Sequence, residues 1–237
     1  MVSFGNFFFK FRDYLFPLVF LGFAVLVPPL TAPGYALALD VAGLTIAIGG
    51  QALRAAVIGF AYIKRGGKNK QVYADNLVIE GFFAHSRNPL YVGNLMVLIG
   101  LILIHGGPVF VVAGSAFYLF AYRCIVAAEE NFLRNKFGTQ YDDYCARVNR
   151  FLLSFSGLGK SIEGMEYDWK RVVRKEYGST FTWVSAAILL FMQQRVALVG
   201  LEAAKPHLYL LASAFGPLAV LYIITRVAKK KRWLGRD

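Results

Sequence analysis

An all-α integral membrane protein with about six transmembrane helices is the fold class this sequence predicts. Three observations carry it. Of 237 residues, 57% are hydrophobic and only 17% are charged, which is too apolar for an ordinary soluble domain. The apolar residues fall in runs near the length that crosses a bilayer, about 20 residues. Lys and Arg gather at the ends of those runs, where lipid headgroups are the nearer partner. One membrane domain over residues 1–237 suffices, because no long polar linker divides the chain.

Composition also excludes several classes. The net charge of +12 does not imply nucleic acid, since no recognition fold accompanies it. The two cysteines, Cys124 and Cys145, lack CxxC spacing and predict no disulfide. His85, His105 and His207 are too scattered to predict a metal site. Met1–Asp13 is short and aromatic, and the apolar run after it shows no small-residue cleavage pattern, so a signal peptide is not expected.

The first span is expected at Tyr14–Leu30, with Pro17 in its first turn and Pro28-Pro29 ending it. The second runs from Tyr35 to Ile63 and carries Asp40, Gln51 and Arg54. An arginine at membrane depth faces protein or a wet cavity, or snorkels to the interface. Arg54 is therefore a site candidate, with snorkelling as the alternative. Lys64–Lys70 reads as a basic turn, and Val72–Gly81 as a hairpin over the membrane surface. The third span starts near Pro89 and reverses at His105-Gly106-Gly107-Pro108. The fourth runs from Pro108 to about Ala128, so the two make a helical hairpin.

Glu129–Arg150 keeps a helical pattern at the interface, broken at Gly138 and resumed over Tyr141–Val148. Phe151–Glu166 reads as an irregular connector. Within it, Gly157–Ser161 has the end of a phosphate loop, but position 154 is Ser where the loop needs Gly. Asp168–Lys175 is a basic stretch before two more spans, Phe181–Val199 and Leu208–Val227. Residues 168–237 form an additional two-span region. Basic residues follow the second, fourth and sixth spans, which places both termini in the cytoplasm.

Two stretches could carry chemistry on that same face. In Gly81–Gly93, GFFAHSRNPLYVG, Pro89 suits the first turn of a helix and Asn88 could cap it. Tyr91 could stack on an adenine or hydrogen-bond a ligand, or be an interfacial tyrosine. Gly93 lets a ligand or a helix approach closely. In Ala127–Gly138, AAEENFLRNKFG, Glu129 and Glu130 stand about 100° apart around a helix and cannot both face one partner. One could face the site and the other pair with Arg134. The alternative is that both are solvated.

RNPLYVGN at Arg87–Asn94 and EENFLRNKFGTQYDDYCARVNRF at Glu129–Phe151 resemble the two signatures of the isoprenylcysteine carboxyl methyltransferase and phospholipid methyltransferase superfamily. The resemblance spans 77–151. It implies a membrane methyltransferase using S-adenosylmethionine, with a cytoplasmic-face cofactor site. By this resemblance, Arg87, Asn88, Pro89, Tyr91, Gly93, Glu129 and Glu130 hold the cofactor, and Arg87 and Glu130 act in catalysis. Asn88 replaces a His usual in the carboxyl methyltransferases and familiar as Asn in the phospholipid branch. The implied partners are the bilayer and a lipid-like methyl acceptor, with no metal. A prenyl-cysteine-like carboxylate and a phospholipid amine both remain open as acceptors. Other readings are a membrane reductase using NADPH and a non-enzymatic transporter-like protein.

Overall fold

The computed structural model describes residues 1–30, 32–60, 65–68, 71–74 and 76–235. The chain is helical nearly throughout. Its helices are α1 (Val2–Leu26), α2 (Pro33–Phe60), α3 (Pro89–His105), α4 (Ser115–Phe137), α5 (Thr139–Arg147), α6 (Leu158–Ile162), α7 (Trp169–Val199), α8 (Leu201–Ser213) and α9 (Phe215–Lys230). A two-stranded antiparallel hairpin pairs β1 (Arg65–Lys68) with β2 (Gln71–Ala74).

Among the described residues, four helical segments are long and apolar enough to cross a membrane: Gly34–Phe60, Phe110–Phe137, Trp169–Val199 and Leu201–Lys230. They coincide with the second, fourth, fifth and sixth expected spans. The other two differ for identifiable reasons. α1 begins at Val2, so it carries Lys10, Arg12 and Asp13 within its length, and Pro17 lies mid-helix rather than in a first turn. α3 has 17 residues, a little under the length of a full crossing.

The hairpin forms earlier than expected, with Gly66 opposite Tyr73 and Gly67 opposite Val72. Residues 76–80 are irregular, so the predicted hairpin at Val72–Gly81 is corrected. Lys64, Asn69 and Lys70 of the expected basic turn, and Ile63 at the expected end of the second span, lie outside the described residues. The expected sixth span is two helices, α8 and α9, which meet at Ala214.

Turn chemistry places the helix ends. Gly106 takes a left-handed conformation at φ 68° and stops α3. A π-helical turn at Phe110–Gly114 leads into α4. Gly138, at φ 55°, separates α4 from α5. Asp168 caps α7, accepting the Arg171 backbone N–H at 2.9 Å, and that bond holds its carboxyl below the usual range. Asp168–Lys175 is thus the first two turns of α7 rather than a separate basic stretch.

A seam of small residues fixes how α2 and α3 pack. Gly43 faces Gly100, and Gly50 faces Gly93. A Cβ added at Gly43 would lie 2.5 Å from the Gly100 carbonyl oxygen, and one at Gly50 would lie 2.6 Å from that of Gly93. Only glycine lets two helix backbones approach this closely. Aromatic side chains fill the α1–α4 interface: Phe16 meets Tyr118 and Tyr122 at ring-centroid distances of 5.4 Å. The Tyr118 hydroxyl donates to the Phe16 carbonyl at 2.7 Å.

The seam makes a direct prediction. Gly43→Leu or Gly100→Leu forces the pair apart and should destabilise the protein by about 1–3 kcal/mol or more. Gly22 has no heavy atom within 4 Å of an added Cβ. Gly22→Ala should therefore be neutral or stabilise by up to about 1 kcal/mol. Thermal unfolding midpoints in detergent measure both.

Candidate functional site

The site forms where the loop before α3 meets the end of α4. Glu80 leads into a 3-10 turn at Gly81–Ala84, and a short segment then carries the chain to Pro89 at the start of α3. Residues 85–88 are stapled to the segment after α5. Arg87 N–H donates to the Asn149 carbonyl at 2.9 Å, and Ser154 N–H donates to the His85 carbonyl at 3.1 Å. The Asn88 side-chain amide donates to the Arg150 carbonyl at 3.0 Å. The Tyr144 hydroxyl of α5 donates to the Phe83 carbonyl at 2.6 Å.

Asn88 does occupy the N-cap position of α3, but its side chain makes no capping bond. Its amide is used to hold Arg150 instead. Pro89 sits at the first helical position, as its missing N–H allows.

The two glutamates are buried, Glu129 at 3% exposure and Glu130 at 4%, so the solvated alternative is excluded. Their side chains diverge as helical geometry requires. Glu130 faces two guanidinium groups. Arg150 donates to it twice, from Nη2 at 2.6 Å and Nε at 3.0 Å. Arg87 Nη2 lies 3.4 Å from Oε1, the oxygen that Arg150 Nε also reaches. Glu129 turns toward α3 and accepts a 2.5 Å hydrogen bond from the Tyr91 hydroxyl. Arg12 of α1 reaches that same hydroxyl at 3.4 Å, and Tyr122 packs on the Tyr91 ring at 5.4 Å.

The expected Glu130–Arg134 pairing does not occur. α5 folds back after Gly138 and brings Asp142 to Arg134 at 2.7 Å, on an exposed face.

Arg54 is not a snorkelling residue. It forms a bidentate ion pair with Glu176 of α7, with Nε to Oε2 at 2.8 Å and Nη2 to Oε1 at 2.6 Å. Its Nη1 donates to the Asn94 side chain. Gln51 donates to Glu176 at 3.0 Å, and Trp183 Nε1 donates to Gln51 at 2.9 Å. The seam explains the placement: a Cβ at Gly93 would lie 2.6 Å from Arg54 Cγ. The space over Gly93 is filled by α2.

Arg87 therefore meets Glu130 and Tyr91 meets Glu129, as two separate contacts, while Asn88 and Pro89 set the loop and helix start that carry Arg87 and Tyr91. Sequence reasoning missed Arg150, Glu176 and Trp183 as members of this polar centre. Arg150 was visible inside the second signature but carried no separate signal. Glu176 lies in the basic start of α7, where one acid among cations reads as surface.

Chemically, the centre offers buried carboxylates, guanidinium groups and tyrosine faces. Arg87 Nε is buried and has no hydrogen-bond partner, an open donor for an anionic group. Such a set suits a ligand with both signs of charge. No group of His, Cys, Asp and Glu suited to a metal ion occurs among the described residues.

Removing Glu176 would leave Arg54 buried without its counter-charge. Glu176→Gln should destabilise the protein by about 3–5 kcal/mol, as for other broken buried pairs. Replacing the exposed Asp142 by Asn should cost less than about 1 kcal/mol. Denaturation midpoints of the two variants would separate them, and equal midpoints would refute the buried role of the pair.

No curated protein and no solved structure matches the chain. Residues 40–140, which hold Arg54, Arg87, Tyr91, Glu129 and Glu130, match the phospholipid methyltransferase family, which bears out the resemblance carried by the two signatures and makes the chain similar to membrane methyltransferases.

Proposed function

We propose that the protein transfers a methyl group from S-adenosylmethionine to a lipid-borne acceptor at the Glu130 site. The observation that carries this reading is Glu130, buried between Arg87 and Arg150 inside the family-matched region. S-adenosylmethionine would supply a sulfonium methyl that is already activated. The residues present fit such a molecule. Arg87 Nε is an unpartnered buried donor suited to its carboxylate. Glu129 and Glu130 supply negative charge for its ammonium and sulfonium centres. Tyr91 and Tyr122 present aromatic faces to the cationic region. Pro89 fixes the loop, and Gly93 acts through Arg54, whose side chain crosses it.

The protein's own part in the reaction is alignment and exclusion of water. An acceptor amine must arrive neutral, and its nitrogen must lie in line with the methyl carbon. Asn88 agrees with the phospholipid branch, so an amine-bearing phospholipid is favoured over a prenyl-cysteine-like carboxylate. The acceptor tail stays in lipid while its head meets the cofactor, which fits a site at the end of apolar helices. We place both termini and this site on the cytoplasmic side, from the distribution of Lys and Arg.

Four measurements test the reading and its topology. Purified protein should bind S-adenosylmethionine and not NADPH, the cofactor of the reductase alternative. Glu130→Gln should weaken that binding by about 1–3 kcal/mol, and unchanged affinity would return Glu130 to a structural role. A tail-less headgroup analogue should lose turnover as well as affinity, since tail binding helps align the head. Comparable rates with and without the tail would contradict membrane access even if methyl transfer held. In a background lacking Cys124 and Cys145, single cysteines at Gly67 and Gly106 should be labelled from opposite sides. Labelling of both from one side would sink the proposed topology.

A further inference from the structure

The end of α2 away from Arg54 carries a second polar cluster. Asp40 and Arg54 stand about 21 Å apart along the helix, at a rise of 1.5 Å per residue. A cavity of about 390 Å³ lies there between α2, α7 and α8. That volume falls within the common range of ligand sites, roughly 300–1,000 Å³. Asp40, Gln194, Arg195 and His207 line it, with Phe191 and Leu211 among its apolar walls.

The two charges in this cavity are not matched to each other. Asp40 Oδ1 accepts a hydrogen bond from Gln194 at 3.2 Å, and no cation among the described residues pairs with it. Gln194 is buried and is also held by the Ile104 carbonyl at 3.3 Å, so its position is fixed. Arg195 Nε is buried with no hydrogen-bond partner. Arg195 Nη2 lies 3.4 Å from His207 Nε2, a ring nitrogen rather than an anion. One cavity thus holds an acid without a base and a base without an acid. Asp40 and Arg195 are both half-buried, the Arg195 Nε fully so, and one ligand carrying both signs would pair both.

The surface beside the cavity is apolar and open. Tyr209 and Leu210 of α8 are each 72% exposed, and none of the apolar window of Leu201–Lys230 is buried. Acyl chains would lie along this surface with the head in the cavity.

We infer that the cavity binds a zwitterionic phospholipid, with its ammonium toward Asp40 and its phosphate toward Arg195. An anionic lipid meets Asp40 with like charge, and diacylglycerol leaves both groups unmatched. The lipid held here is not the one being methylated, because Asp40 and Arg54 mark opposite ends of α2.

The probe is a photoreactive phosphatidylcholine, added to full-length protein in nanodiscs. Its nitrogen is fully methylated, so it accepts no methyl and reports binding alone. Labelling should map to residues 36–40 and 191–211. Asp40→Asn and Arg195→Gln should each reduce it about tenfold, as for loss of one charge-assisted hydrogen bond. Unlabelled phosphatidylcholine should compete, while phosphatidylglycerol and diacylglycerol should compete about tenfold more weakly. Thermal midpoints report whether the variants fold. If the charge variants unfold, Leu211→Trp fills the cavity with both charges intact and should also remove the labelling. Labelling confined to other segments, undiminished labelling in the folded variants, or equal competition by diacylglycerol would overturn the assignment.

Discussion

A carboxylate removed from water must be neutralised by a proton or met by positive charge, and Glu130 is met by two guanidinium groups. Those groups come from separate parts of the chain. Arg87 precedes α3, and Arg150 follows α5. Satisfying Glu130 therefore ties the end of α4 to the loop before α3 and to the segment after α5. The backbone follows the same ties, through Arg87 to Asn149 and Ser154 to His85. A buried pair contributes little net stability against an apolar substitute, because desolvation offsets the attraction. Its value here is positional: it holds charged groups at fixed places inside an apolar protein.

The second pair, Arg54 with Glu176, depends on close helix packing. The glycine seam brings the α2 and α3 backbones together, so Arg54 passes over Gly93 and reaches Asn94. A bulkier residue at 93 would displace the guanidinium and break its two-point contact with Glu176. Gly93 thus shapes the polar centre through the room it leaves for the Arg54 side chain. Tyr122 of α4 packs on Tyr91 of α3, whose hydroxyl donates to Glu129.

Much of this was legible in the sequence because it is local. The Pro89 helix start, the Gly106 reversal and the break at Gly138 follow from backbone chemistry within a few residues. The divergence of Glu129 and Glu130 follows from helical geometry alone. What was not legible is long-range pairing. Glu130 chose Arg150 over nearby Arg134 because α5 folds back and offers Arg134 a closer acid. Arg54 chose Glu176, more than a hundred residues away, and no periodicity marks that acid as buried. The start of α1 at Val2 was missed for a related reason. Lys10, Arg12 and Asp13 read as a polar flank, yet a helix tolerates them when Arg12 packs on the Phe9 ring at 4.3 Å and reaches Tyr91.

The family match ends at residue 140, but the polar centre does not. Glu130 needs Arg150, and Arg54 needs Glu176, so two acids or bases inside the matched region find their partners beyond it. The segment after 140 is for that reason part of the core. α7 closes the charge of one end of α2 through Glu176 and leaves it open at the other, where Asp40 and Arg195 share a cavity unpaired. A helix that neutralises one end of its neighbour has the same means available at the other, since Gln194 already reaches Asp40. The contrast between a paired end and an unpaired end is the physical ground for treating the first as a built polar centre and the second as a place for a ligand that supplies its own charges.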